Sequence, residues 1–339
     1  MSTIKALLHP FTTGMLKPPA QALMLRAHAD AALDADWGQN LLCVTGFKPD
    51  HDALLASGFR VEAALPAEAG PFDAALCPLT KHKADSLAAI AQAWAALPVG
   101  GLLLCAGDND TGAASLQKDV AKALGPLETA SKFHARIFWT RKQEGEMPAL
   151  LKGWLAGGAT RLVPETGFHA GPGMHGWNKI DRGSKLLADH LPGDVRGRVA
   201  DLGAGWGYLS AMLLKTGRHL KGLDLFEADA AALEAAKLNI QPLAGETPIR
   251  FHWADATKGL PRQRYHSVIM NPPFHSGKAT DIELGTAFIQ QAAHCLEKGG
   301  LMLMVANRQL PYEAAIDTHF KERRLVAEAD GFKLIEARA

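Results

Sequence analysis

Long hydrophobic runs are missing from this sequence. Of its 339 residues, 47% are hydrophobic, yet no stretch reaches the roughly 18 consecutive apolar residues that cross a bilayer. The opening MSTIKALLHPFTTG also lacks the sustained apolar centre of a secretory leader, so a soluble protein without a membrane partner is expected. Charge of one sign is lacking too. The 36 Lys and Arg against 35 Asp and Glu leave a formal +1, and no overall field announces nucleic acid or a lipid surface, although a local basic face is compatible with that total. Cysteine is sparse: Cys43, Cys77, Cys105 and Cys295 show no C-x-x-C spacing. That argues against a zinc site or a disulfide framework and fits a reducing, cytoplasmic setting. His169 and His175 stand in the glycine-rich GFHAGPGMHGW without a cysteine or carboxylate cluster to complete a ligand set. They read as surface-loop residues, and no metal is expected.

What the chain does contain is alternation of strands and helices. Apolar runs LLCVTG (41–46), FDAALCPL (72–79), GGLLLCAG (100–107) and ARIFWT (135–140) are separated by alanine-rich segments at 83–96 and 113–124, an α/β pattern. Glycine and proline crowd residues 143–180, which places a domain boundary there. Beyond it, RVADLG, LKGLDLF, SVIMN and GLMLMVAN read as strands, and KLLADHL and DAAALEAAKLN as helices. The expected domains are 1–155 and 165–339, at a length that lets each bury its own core. The halves also resemble one another: in each, an apolar strand ends in a proline-bearing corner (FDAALCPLTKHK, YHSVIMNPPFHSG) and a Gly-Gly pair precedes the next strand. An internal duplication explains this, and so does shared α/β grammar.

The halves differ where chemistry would sit. DLGAGWG puts Gly203, Gly205 and Gly207 at alternate positions after Asp201, followed by the apolar YLSAMLL. Glycines there permit a tight strand-to-helix turn and close approach of a ligand, and the helix start leaves N–H groups free. Asp224 and Glu227 follow 23 and 26 residues after Asp201, and the helical register of AALEAAKLN favours Glu227 as the last strand residue, able to hold both hydroxyls of a ribose. Asp224 is then a neighbour or a plain strand carboxylate. Asp255, in FHWADATKGL, suits an adenine amine or a simple turn cap.

The corner NPPF (271–274) comes directly after a strand, at the end of an α/β sheet where ligands bind. The Asn271 side-chain oxygen and the Pro272 carbonyl, stiffened by two proline rings, can accept both hydrogens of an exocyclic amine, while Phe274 stacks on the ring that carries it. Positioning of this kind is enough when the electrophile is already activated, as a sulfonium methyl is. The clusters KHK (81–83), RQR (262–264) and KERR (321–324) suit solvated faces or phosphate contacts, and Trp154 and Trp177 suit packing or base stacking.

DLGAGWG followed by NPPFH resembles the class I S-adenosylmethionine-dependent amino-methyltransferases, and within them the small-subunit ribosomal RNA guanine-N2 methyltransferase C family. IDRGSKLLADHL, GGLMLMVANRQLPY, PLTKHK and LPVGGLLLCAGDNDTG carry the likeness across most of the chain. The resemblance implies two tandem Rossmann-like methyltransferase domains, of which only the C-terminal one binds S-adenosylmethionine while the other supports folding and RNA recognition. It also implies methylation of 16S rRNA at a guanosine N2 amine, rRNA within the small subunit as partner, a cytoplasmic location and a monomer. By position, Asp201, Gly203, Ala204, Gly205, Glu227, Asp224, Asp255, Ala256 and Asn271 would line the cofactor. Asn271, Pro272 and Phe274 would act on the amine, and Pro273, Phe274 and His275 would flank the guanine. In the first half CVTGFKPD, with a single glycine, stands for DLGAGWG, and LCPLT, without the asparagine or the aromatic, for MNPPF. Met174 and His175 depart from the bulky apolar or aromatic pair the family suggests, and Ala204 and Trp206 are less familiar in the glycine loop. DNA adenine and protein glutamine methyltransferases use a similar corner, usually with tyrosine in place of Phe274. A non-catalytic RNA-binding factor would have lost the loop or the corner.

Overall fold

A computed structural model of the chain describes residues 3–217, 220–260, 265–273 and 279–339. It divides into two compact units, one of Met1–Ala159 with Gly171–Gly173, the other of Thr160–Ala170 with Met174–Ala339. Among the described residues no helix is long and apolar enough to cross a membrane.

The first unit holds strands β1 (Ala22–Leu25), β2 (Leu41–Val44), β3 (Arg60–Glu62), β4 (Ala74–Pro78), β5 (Leu102–Asp108), β6 (Glu128–Lys132) and β7 (Ala135–Arg141). They form one sheet in the order β3-β2-β1-β4-β5-β7-β6. β3 to β5 run parallel across the sheet, and β7 turns antiparallel to both β5 and β6. Both faces are covered. Leu23, Leu25, Leu42 and Val44 belong to one buried cluster, and Ala22, Met24, Leu41 and Cys43 to another, as the alternation of strand side chains requires. Each Leu or Ile so buried contributes about 1.5–3 kcal/mol.

A short hairpin of β8 (Arg161–Val163) and β9 (Phe168–Ala170) precedes the second sheet. That sheet comprises β10 (Gly197–Leu202), β11 (Leu220–Glu227), β12 (Ile249–Trp253), β13 (Tyr265–Met270), β14 (Leu296–Asn307), β15 (Glu322–Ala329) and β16 (Phe332–Arg338). Its order is β12-β11-β10-β13-β14-β16-β15, again parallel but for β16. Strand for strand this repeats the first sheet, so the two units share one topology.

The apolar runs read as strands from the sequence are all strands here. β1 was not anticipated: its four residues, ALML, are buried without interruption and show neither alternation nor length to mark them. β3, β6 and β15 carry mostly exposed positions and β16 is buried without regular alternation, which blurs the period-two pattern.

Candidate active site

The strand order reverses beside β10, which lies between β11 and β13. In open parallel sheets such a reversal opens a crevice at the carboxyl ends of the strands. DLGAGWG begins there. Gly203, Gly205 and Gly207 have φ of 72°, 55° and 89°, left-handed values that side chains strain to adopt. The N–H groups of Gly203 and Ala204 both donate to the Phe226 carbonyl, at 2.9 and 3.1 Å, and this ties the loop to β11. A Cβ on Gly205 would meet nothing within 4 Å, whereas one on Gly207 would lie 3.1 Å from Ile240 and 3.3 Å from Ala236. Gly205 therefore faces open space, and Gly207 lets the helix Tyr208–Lys215 pack closely on Ala230–Ile240.

Asp201 is fully buried just before this loop. Its Oδ2 accepts from the Ser210 hydroxyl at 2.6 Å, but Oδ1 has no hydrogen-bond partner among the described residues. Burial pushes its carboxyl up to about 7, the Ser210 bond opposes this, and the Glu227 charge adds to it. A buried acceptor left unpaired is costly, and a proton or an incoming donor would relieve it.

Glu227 is the last residue of β11. Its Oε2 accepts from the Gly205 N–H at 2.7 Å and its Oε1 from the Asp229 N–H at 2.8 Å. The carboxylate is thereby fixed in direction, and each oxygen keeps a lone pair for a further donor. Burial pushes its pKa up against the pull of those N–H groups. Asp224 lies elsewhere. Three residues earlier, it points to the opposite face of the strand, where its Oδ1 is 3.2 Å from His252 Nε2 and 3.9 Å from Arg250 Nε. Burial raises its pKa, but His252, Tyr265 and Arg250 outweigh that and leave it low. It is a strand carboxylate in a charged cluster and is not brought to the glycine loop. Asp255 caps a turn: its Oδ1 accepts from the Thr257 N–H at 2.9 Å and from the Thr257 hydroxyl at 2.5 Å. Ala256, beside it, is buried. This turn is positioned by the Ala254 N–H, which donates to the Glu227 carbonyl at 2.9 Å.

Asn271 follows the last residue of β13. Its Nδ2 donates to Asp181 Oδ2 at 2.9 Å and to Ser184 Oγ at 2.8 Å, while its Oδ1 is buried without a partner among the described residues. Pro272 is buried and Pro273 exposed. Phe274, His275 and the basic RQR at 262–264 lie outside the described residues. Asp181, which had not been singled out from sequence, is the N-cap of the helix Arg182–Asp189 and accepts from the Ser184 N–H at 2.7 Å. Burial works against its charge, yet His175, the Ser184 N–H and Asn271 together hold its carboxyl below the usual range.

A second missed residue, Asn239, bolts the preceding hairpin to the loop. Its Oδ1 accepts from the His169 N–H at 2.7 Å, and its Nδ2 donates to the carbonyls of His169 and Trp206 at 2.9 and 2.8 Å. Trp206 packs against Phe168 and Tyr208 and donates to the His175 carbonyl at 3.1 Å. Met174 is buried in the same core, while the His175 side chain is 77% exposed. Arg161 lies over the Trp177 ring, and Trp154 packs against a core cluster of the first unit. In KERR, Arg323 and Arg324 pair with Asp317 and Glu336.

Strand register shows what the first unit has at the same places. Leu25 pairs with Val44 as Leu202 pairs with Phe226, and the Ala27 N–H reaches the Val44 carbonyl as the Ala204 N–H reaches that of Phe226, each at 3.1 Å. Arg26 thus stands for Gly203, Thr45 for Glu227 and Met24 for Asp201. Arg26 keeps the left-handed backbone, with φ 54°, and its guanidinium grips Asp85. Met24 pairs with Leu76 as Asp201 pairs with Ile269, so Pro78 stands for Asn271. This corrects the sequence alignment of the halves: CVTGFKPD is the end of β2, not the glycine-loop position, and the LCPLT match shifts by one residue.

A glycine loop, a strand-end carboxylate and an asparagine corner around one switch point are the construction of a class I methyltransferase, and only the second unit has it. The methyltransferase small domain family matches residues 165–336. Curated relatives called ribosomal RNA small subunit methyltransferase C include one from Pseudomonas aeruginosa, 30% identical over 97% of this chain and 96% of its own, and one from Shewanella sediminis, 31% identical over 78% and 76%. Among solved structures, a 16S rRNA N2 methyltransferase from T. thermophilus in complex with AdoMet and guanosine has a TM-score of 0.82 and 24% identity, covering 99% of this chain and 92% of that one. The chain belongs to the ribosomal RNA small subunit methyltransferase C family.

Proposed function

We propose that this chain transfers the methyl group of S-adenosylmethionine to the exocyclic N2 amine of a guanosine in 16S ribosomal RNA, in the cytoplasm. The observation that carries the reading is the Asn271 carboxamide, whose two N–H groups are consumed by Asp181 and Ser184 while its buried oxygen has no partner among the described residues. That oxygen is an acceptor held ready for an amine hydrogen. The names of the relatives supply the nucleic acid, and the AdoMet and guanosine complex of the T. thermophilus protein is consistent with both halves of the site.

The residues present fit the cofactor. Asp201 Oδ1 has no hydrogen-bond partner among the described residues and would take the ammonium of its methionine moiety. Gly203, Ala204 and Gly205 leave backbone within reach, Glu227 would hold the ribose hydroxyls, and Asp255 and Ala256 would meet the adenine. When bound, S-adenosylmethionine supplies a methyl group on positively charged sulfur, so no strong base is needed. Asn271 Oδ1 and the Pro272 carbonyl accept the two amine hydrogens, which turns the nitrogen lone pair towards the methyl carbon. Pro273, Phe274 and His275 follow in sequence and would flank the flipped-out guanine. With the cofactor in place its methyl carbon would pass to the nitrogen as the bond to sulfur is lost, and the surplus proton would leave the amine for water.

The test is Asn271→Ala, assayed on 16S rRNA with labelled cofactor. Turnover should fall by at least the roughly 10- to 100-fold expected for one buried hydrogen bond, with cofactor affinity intact. Methyl transfer to DNA adenine or protein glutamine, with none to rRNA, would sink the substrate assignment.

A further inference from the structure

We infer that Asp181 is a positioning residue for the transfer: with Ser184 it holds the Asn271 carboxamide in the one orientation that aims its oxygen at the substrate amine. This rests on the function proposed above. A carboxamide is nearly symmetric in shape, and a half-turn about its last bond exchanges the acceptor for a donor. Flipped, Asn271 would present N–H groups to the hydrogens of an amine, and transfer would stall. Nothing within Asn271 chooses between the two states.

The choice is made 90 residues earlier in the chain. Asn271 Nδ2 is 2.9 Å from Asp181 Oδ2 and 2.8 Å from Ser184 Oγ. The Ser184 hydroxyl can donate or accept, so by itself it would tolerate either state. An ionised carboxylate can only accept, so the flipped state would set Asn271 Oδ1 against Asp181 Oδ2, oxygen against oxygen. Asp181 therefore decides. Its own direction is fixed because Oδ2 also accepts the Ser184 N–H at 2.7 Å as a helix N-cap, with His175 Nε2 3.8 Å from Oδ1. The helix N-terminus favours the negative charge, in keeping with a carboxyl held below its ordinary range. The outcome is visible at the other end of the amide, where Oδ1 is buried and unpaired among the described residues.

The experiment separates orientation from folding. Asp181→Ser keeps an N-cap residue as good as aspartate but is too short to reach Asn271. Its kcat should fall roughly 10- to 100-fold, the worth of one charge-assisted hydrogen bond. Affinity for S-adenosylmethionine by calorimetry, KM for rRNA and melting temperature should stay close to those of the unaltered protein. Asp181→Asn should lie between the two, because its amide keeps an acceptor without forbidding the flip. An unaltered kcat in either variant overturns the inference, and Asp181→Asn decides alone if Asp181→Ser does not fold. A fall in kcat matched by equal losses of melting temperature and cofactor affinity also overturns it, as a purely structural role. If the unaltered chain leaves guanosine N2 unmethylated, the functional reading itself falls, a result distinct from all of these.

Discussion

Asp201 shows how much a single buried carboxylate carries. Its position before the glycine loop was legible in DLGAGWG, but its Oδ1, unpaired among the described residues, and its link to Ser210 emerge only once the strand and the helix Tyr208–Lys215 meet. Burial raises its pKa from 3.8 to about 7. In the free protein that shift opposes stability as pH rises. Between pH 4 and 7 the folded chain keeps a proton that the unfolded chain has released, so the melting temperature contributed by this group should fall through that window. On the proposed pairing of Asp201 with the ammonium of S-adenosylmethionine, cofactor binding has the opposite sign, because a cation prefers the ionised carboxylate. Affinity should be fully present above pH 7 and weaken as pH falls through 7. Calorimetry at pH 6 and pH 8 on the unaltered chain and on Asp201→Asn checks this: the slope should flatten in the variant, and an equal slope in both would assign it to another group, such as Glu227.

At the scale of elements, the sequence was read well wherever local chemistry dictates a boundary. The proline pair stops β13 and leaves Asn271 at its end; the glycine loop ends β10; the helical register after β11 makes Glu227 its final residue. Asp224 and Glu227 differ through the strand's parity, which turns residues three apart to opposite faces. Asp181 and Asn239 were not found. The first does carry a local signal, an aspartate opening the apolar-periodic RGSKLLAD, but its contact with Asn271 spans 90 residues. Asn239 reads as a routine late-helix residue. Its three hydrogen bonds to His169 and Trp206 nonetheless make it the bolt between the β8–β9 hairpin, the glycine loop and the helix Ala230–Ile240. Asn239→Ala should strand two buried carbonyls and an N–H and cost about 1–3 kcal/mol for each group that water does not reach. A lower melting temperature together with weaker S-adenosylmethionine binding is the expected result. A lower melting temperature with unchanged binding would mean that the bolt does not shape the loop.

Across the whole molecule, the duplication was visible in the repeated strand, corner and Gly-Gly grammar, but its register was not, because β1 is too short to announce itself. Once β1 is in place, four substitutions explain why the two sheets, identical in strand order, differ in chemistry. Met24 has no carboxylate where Asp201 does, Arg26 has a side chain where Gly203 has none, Thr45 lacks the reach of Glu227, and Pro78 has no carboxamide where Asn271 does. On the proposed reading of the second unit's site, the first unit lacks the ammonium partner, the ribose acceptor and the amine acceptor. The full chain should therefore bind one S-adenosylmethionine. Titration calorimetry on the unaltered protein reads this directly, and Glu227→Ala sharpens it: losing a carboxylate that anchors Gly205 and is proposed to accept from the ribose should weaken binding roughly 10- to 100-fold. With a single site that loss affects all of the heat. If half of the binding heat persisted at the original affinity, the first unit would hold a second competent site, and the four substitutions would not have the effect their chemistry requires.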